Sequence, residues 1–176
     1  VIDTGLFNLT VSGEIYLVPT DISCKNVNRG LHELGHVLGL DHTYDKEDIM
    51  YPYESCLLKI TDESVRTIKE LYKIQPKPDL YFFNASAQKV GMYLSLVFVT
   101  KNQGILNVGN TSVLLKIDDS NFETYSIMDL SPGGAYILKR TTRAPKAFNS
   151  IKLVVDPENL VDELYENNNE ILLVPS

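Results

Sequence analysis

The chain has 176 residues, 44% of them hydrophobic and 22% charged, with a net charge of -7. This is globular material, long enough for one large domain or two small ones, and it excludes a disordered or fibrous chain. No cluster of Lys and Arg could track a phosphate backbone, which argues against nucleic acid as a partner, and no apolar run approaches a transmembrane length.

The chain opens on Val1 rather than Met and carries no signal peptide, so a processed or truncated product is expected, with something preceding it. Gly13 to Pro19 predicts one strand ending at a proline. Asn28 to Leu40 predicts a helix, with Leu31, Leu34 and Leu38 at helical spacing and Gly39 and Asp41 marking its end. A second helix is predicted from an N-cap at Thr61, with Asp62 and Glu63 in the first turn and Val65, Ile68, Leu71 and Tyr72 on one apolar face. Pro76 prevents its continuation, and Pro76 with Pro78 makes residues 76–79 an extended linker.

Beyond the linker, alternation puts Leu94, Leu96 and Phe98 on one face of a strand. It does the same for Val113, Leu115 and Ile117, and for Ile151, Leu153 and Val155. Turn signals stand at Asn102-Gln103-Gly104, Gly109-Asn110 and Pro132-Gly133-Gly134. Six or seven short strands of this kind predict a β-sandwich over residues 80–176, following a first domain over residues 1–75.

Cys24 and Cys56 lie on either side of the histidines. They fit a disulfide in an oxidising compartment, with two buried free thiols as the alternative. Sequons at Asn8, Asn84 and Asn110 add weak support for an exterior location.

All three histidines fall within eleven residues. His32 and His36 differ by about 40° around a helix axis, so both can bind one tetrahedral ion. Glu33 sits beside that ion, where a carboxylate can take a proton from water. On a continuous helix His42 would lie about 15 Å further along the axis, so the chain must turn back, and Gly39 can adopt the positive φ this needs. Three neutral imidazoles leave a fourth position open, as in catalytic zinc sites.

The run HELGHVLGLDH over residues 32–42 resembles the extended metzincin signature, and most closely its matrix metalloproteinase (matrixin) form. Thr43 and the Asp48-Ile49-Met50-Tyr51-Pro52 segment extend the resemblance, which implies that Met50 forms an apolar floor beneath the ligands. From the residues alone, Met50 would be a core methionine. The second helix resembles the terminal matrixin helix, so the similarity spans about residues 13–72. The resemblance implies an S1′ wall from Pro52 and Tyr53, although the tyrosine stands one position early. Where matrixins carry an acidic pair in the terminal helix, this chain has Glu63-Ser64.

The second part resembles the CARDB module, an Ig-like β-sandwich of prokaryotic surface proteins, through Lys101-Asn102-Gln103-Gly104, Leu130-Ser131-Pro132-Gly133 and the segment from Val155 to Asn169. The stretch Asp156–Glu170 reads as a solvated loop, with a Ca2+ site as an unsupported alternative.

The expected fold is therefore an α+β metzincin-like catalytic portion followed by an all-β Ig-like sandwich. The expected function is a zinc endopeptidase acting on a protein or peptide substrate, extracellular or attached to a prokaryotic cell surface. The competing expectation is an adhesion or binding protein whose zinc is not catalytic, because only 31 residues precede His32 and the upper wall of a matrixin cleft is missing.

Overall fold

A computed structural model describes residues 1–18 and 22–174 and divides the chain into two units. One comprises Val1 and Thr10–Gln75, the other Ile2–Leu9 with Pro76–Ser176. The elements in chain order are β1 (Ile2–Asp3), β2 (Asn8–Leu9), α1 (Ser23–Val37), α2 (Asp62–Leu71), β3 (Leu80–Val90), β4 (Tyr93–Asn102), β5 (Thr111–Ile117), β6 (Ser120–Ile127), β7 (Ala135–Arg143), β8 (Ile151–Val155) and β9 (Glu170–Leu173).

The second unit is a sandwich of two antiparallel sheets, ordered β3-β4-β7 and β6-β5-β8-β9. The alternation that marked the strands decides which face turns inward. Leu94, Leu96 and Phe98 of β4 meet Val113 and Leu115 of β5 and Ile151, Leu153 and Val155 of β8, all of them solvent-inaccessible. Asn102 closes one end of this core. Its buried amide accepts from Asp79 N–H and Gly104 N–H and donates to Leu106 O and Leu130 O. A buried amide satisfied on both sides fixes a turn without leaving an orphan polar group. Gly104 is required there because a Cβ would lie 2.4 Å from Lys77 O.

Three expectations need correction. Residues 76–79 are no free linker: Ile105 N–H donates to Lys77 O, Leu164 N–H to Pro78 O and Gln103 N–H to Asp79 O, so the segment is built into the sandwich. Residues 2–9 belong to the second unit, where Thr4 Oγ1 donates to Gln103 O at 2.7 Å. The stretch Asp156–Glu170 is not simply a solvated loop, because Asp156, Glu163 and Asn169 are buried within it.

In the first unit no sheet packs on the helices, so the expected α+β layering is not formed among the described residues. Gly13–Val18 is not a strand, since no neighbouring strand accepts its backbone groups, and Pro19 lies outside the described residues. Helix α1 starts five residues before the expected Asn28 and ends at Val37. Helix α2 is capped as expected, Thr61 Oγ1 accepting from Ser64 N–H. The core here is small: Leu40, Ile49, Met50 and Leu58, flanked by Leu31, Tyr51 and Ile68. The Cys24–Cys56 disulfide forms and closes a loop of 32 residues.

Burial pushes the Glu163 carboxyl up to about 7, against the donated bonds of Leu80 N–H and Asn169 Nδ2, with Glu166 and Asp156 adding to the rise. The folded sandwich thus holds this proton more tightly than the unfolded chain, whose value is near 4.5. That stability is present in full below pH 4.5 and is lost as pH rises through about 7. Urea unfolding of the sandwich across this range is expected to show stability falling with pH, and Glu163→Gln to flatten the curve by on the order of 2–3 kcal/mol. An unchanged slope in Glu163→Gln would refute this.

Candidate metal centre

Helix α1 carries His32 and His36 one turn apart, and Gly39, at φ +92°, reverses the chain just past its end. The turn is closed by Leu40 N–H donating to Gly35 O at 2.9 Å, and it returns His42 to the helix. The three Nε2 atoms lie 3.2 Å from one another, each from each. His32 Nδ1 is 2.7 Å from Ile49 O and His36 Nδ1 is 2.8 Å from Leu40 O. A carbonyl only accepts, so these Nδ1 atoms carry the protons and both Nε2 atoms present bare lone pairs.

Converging lone pairs repel unless a cation stands between them. Two nitrogens bound tetrahedrally to one ion at about 2.0–2.1 Å lie about 3.3–3.4 Å apart, close to what these imidazoles show. The donor set therefore fits a divalent transition-metal ion. Among the described residues, no second group of three His, Cys, Asp or Glu ligand atoms converges in this way.

The segment after His42 locks the geometry. Met50 is 1% exposed, and a Cβ at Gly35 would lie 2.3 Å from its sulfur, so glycine between the two helical ligands lets the methionine press against the helix. Thr43 N–H donates to Met50 O, and Ile49 N–H to Lys59 O. The anchor is Asp48, 2% exposed, which sequence reasoning missed. Its carboxylate accepts from Met50 N–H and Ser64 Oγ at 2.7 Å each and from Thr61 Oγ1. Burial alone would raise the Asp48 carboxyl, but these donors outweigh it and hold it below the usual range. The chain thus has the acid on the turn and the hydroxyls on α2, where the matrixin pattern puts an acidic pair on the helix.

Beside the metal ligands a pocket of about 130 Å³ opens between α1 and the segment Tyr51–Leu58. His32, Glu33, Arg29, Tyr51, Pro52 and Glu54 line it together with Asn28 and Leu58. Of the two wall candidates, Pro52 lines this pocket, whereas Tyr53 is 71% exposed and Tyr51 takes the lining position. The two walls are tied by Asn28 Nδ2 donating to Ser55 O at 2.8 Å, by an Arg29–Glu54 ion pair and by the disulfide. Glu33 faces this pocket, and among the described residues no hydrogen bond or ion pair holds its carboxylate.

Comparison with known proteins divides along the same two units. The CARDB family model matches residues 77–172, more than half of the chain. The chain belongs to the CARDB family. A CARDB domain from Pyrococcus furiosus, solved in complex with di-metal ions, is 24% identical with a TM-score of 0.50, covering 59% of this chain and 100% of that one. A domain named as a candidate cell surface protein from Methanosarcina acetivorans is 22% identical with a TM-score of 0.49, covering 57% and 93%. The matrixin family model matches residues 19–73, the stretch that holds all three histidines. No curated protein matches the chain. No described helix is long and apolar enough to cross a membrane, and the disulfide fits an oxidising location.

Asp48→Ala removes the acceptor of three donors that fix the turn presenting Ile49 O to His32. Metal affinity, measured by competition with a chelating dye, is expected to fall about 10–100-fold while the sandwich keeps its unfolding midpoint. Unaltered affinity would show that the turn needs no such anchor.

Proposed function

We propose that His32, His36 and His42 hold one zinc ion and that this centre hydrolyses peptide bonds in a protein substrate, while the CARDB unit serves attachment at a prokaryotic cell surface. One observation carries the reading: three imidazole nitrogens 3.2 Å apart, with Nδ1 of His32 and of His36 against backbone carbonyls and Glu33 next to the first ligand. Zinc in such a site supplies Lewis acidity towards a carbonyl and lowers the pKa of water. The Glu33 carboxylate, not engaged by any neighbour among the described residues, takes the proton from the attacking water and delivers it to the leaving amine. The pocket between α1 and Tyr51–Leu58 receives a side chain next to the bond that breaks.

A second reading is a surface binding protein whose metal is not catalytic. Two observations favour it: the CARDB match covers most of the chain, and residues 13–18 offer no edge strand with which a substrate backbone could pair.

With the full chain, chelation is expected to abolish casein cleavage and zinc to restore it. Glu33→Ala should retain one zinc per chain and lose about 10²–10⁴-fold in rate, while His36→Ala should lose the metal. Stoichiometric zinc without chelator-sensitive cleavage would favour the second reading.

A further inference from the structure

Building on the peptidase reading, we infer that the Arg29–Glu54 ion pair determines which substrate side chain the pocket accepts, with Glu54 as the residue that makes it reject acidic groups. Arg29 lies three residues before His32, on the same side of α1, so its guanidinium is one helical turn from a metal ligand. Its Nε donates to Glu54 Oε1 at 2.6 Å, Nη2 donates to the same oxygen, and Nη1 donates to Val18 O at 2.5 Å. One carboxylate oxygen from the opposite wall therefore satisfies two of the donors that a guanidinium otherwise turns towards a carboxylate ligand.

The pair is only partly solvated, with side-chain exposures of 24% for Arg29 and 42% for Glu54. An acidic side chain entering the pocket loses water, finds the guanidinium already taken by Glu54 and meets the carboxylate of Glu33, which is unfavourable. Against Tyr51, Pro52 and Leu58 an uncharged side chain meets no such cost. The volume of about 130 Å³ is comparable with that of a cavity known to hold benzene, about 150 Å³, and so admits an aliphatic side chain. Without Glu54 the pocket would present an uncompensated guanidinium beside the metal. Its preference would then move to Asp or Glu side chains.

The experiment uses the zinc-loaded full chain and a series of peptide hydroxamates that differ in one side chain, Leu, Glu or Lys, with affinity read by calorimetry. The native chain is expected to bind the Leu ligand about tenfold or more tightly than the Glu ligand. Glu54→Ala and Glu54→Gln are each expected to shift the Glu-to-Leu affinity ratio about tenfold or more towards Glu. The double variant Arg29→Met with Glu54→Ala should lose that shift. Zinc content and the intact Cys24–Cys56 disulfide confirm that each variant is folded. An unchanged ratio in both Glu54 variants, or no binding by a zinc-loaded native chain, overturns the assignment. If the ratios shift as stated but no peptide is cleaved, the pocket assignment stands and the peptidase reading fails. If peptides are cleaved with an unchanged ratio, only the pocket assignment fails.

Discussion

The metal centre depends on two hydrogen bonds from imidazole Nδ1 atoms to backbone carbonyls, His32 to Ile49 O and His36 to Leu40 O. They select the tautomer, orient each ring and turn the free nitrogen towards the common point. Each carbonyl is itself held. Leu40 sits in the reversal that Gly39 permits, while Ile49 follows the buried Asp48 and is bonded through its own N–H to Lys59. The Nε2 atoms of His32 and His36 are therefore aimed by backbone carbonyls, and less ordering of these two rings remains for binding to supply.

The two units are stabilised in different ways. The sandwich has two continuous apolar faces that bury each other, the ordinary solution for a domain of this size. Among the described residues the histidine-bearing unit has a core of four buried apolar side chains, and it compensates with covalent and polar ties: a disulfide, a buried carboxylate receiving three donors, and a capped α2. A core this small gains much from a cross-link that restricts its unfolded state, about 3–4 kcal/mol for a loop of this length. A bound ion would add to the same stability, since its ligands come together only in the folded unit.

What could be read from the sequence followed the range of the interactions. The offset between His32 and His36, the positive φ at Gly39 and the Thr61 cap are settled within a few residues, where helix geometry alone decides. The inward faces of β4, β5 and β8 were visible because alternation has a period of two. Asp48 was not visible, because its partners lie 13 and 16 residues away on another element. Nor was the Arg29–Glu54 pair, which spans 25 residues. Gly13–Val18 has the composition of a strand, but a strand also needs a neighbour. The segment 76–79 has the composition of a linker, yet Gln103, Ile105 and Leu164 bind its carbonyls. In each of these cases the deciding partner is remote in sequence.

The short pair of strands at Ile2–Leu9 gives the chain an unusual covalent topology. Because these residues belong with the sandwich, the polypeptide leaves that body at Thr10, forms the histidine-bearing unit over residues 10–75, and re-enters it at Pro76. The histidine-bearing unit is thus a loop anchored at both ends, not a bead on the end of a string. A single proteolytic nick near Thr10 or near Gln75 leaves it attached through the other connection, and only two cuts set it free. Unfolding of that unit likewise cannot separate its ends further than their fixed anchor points allow, which limits the entropy that its unfolded state can gain.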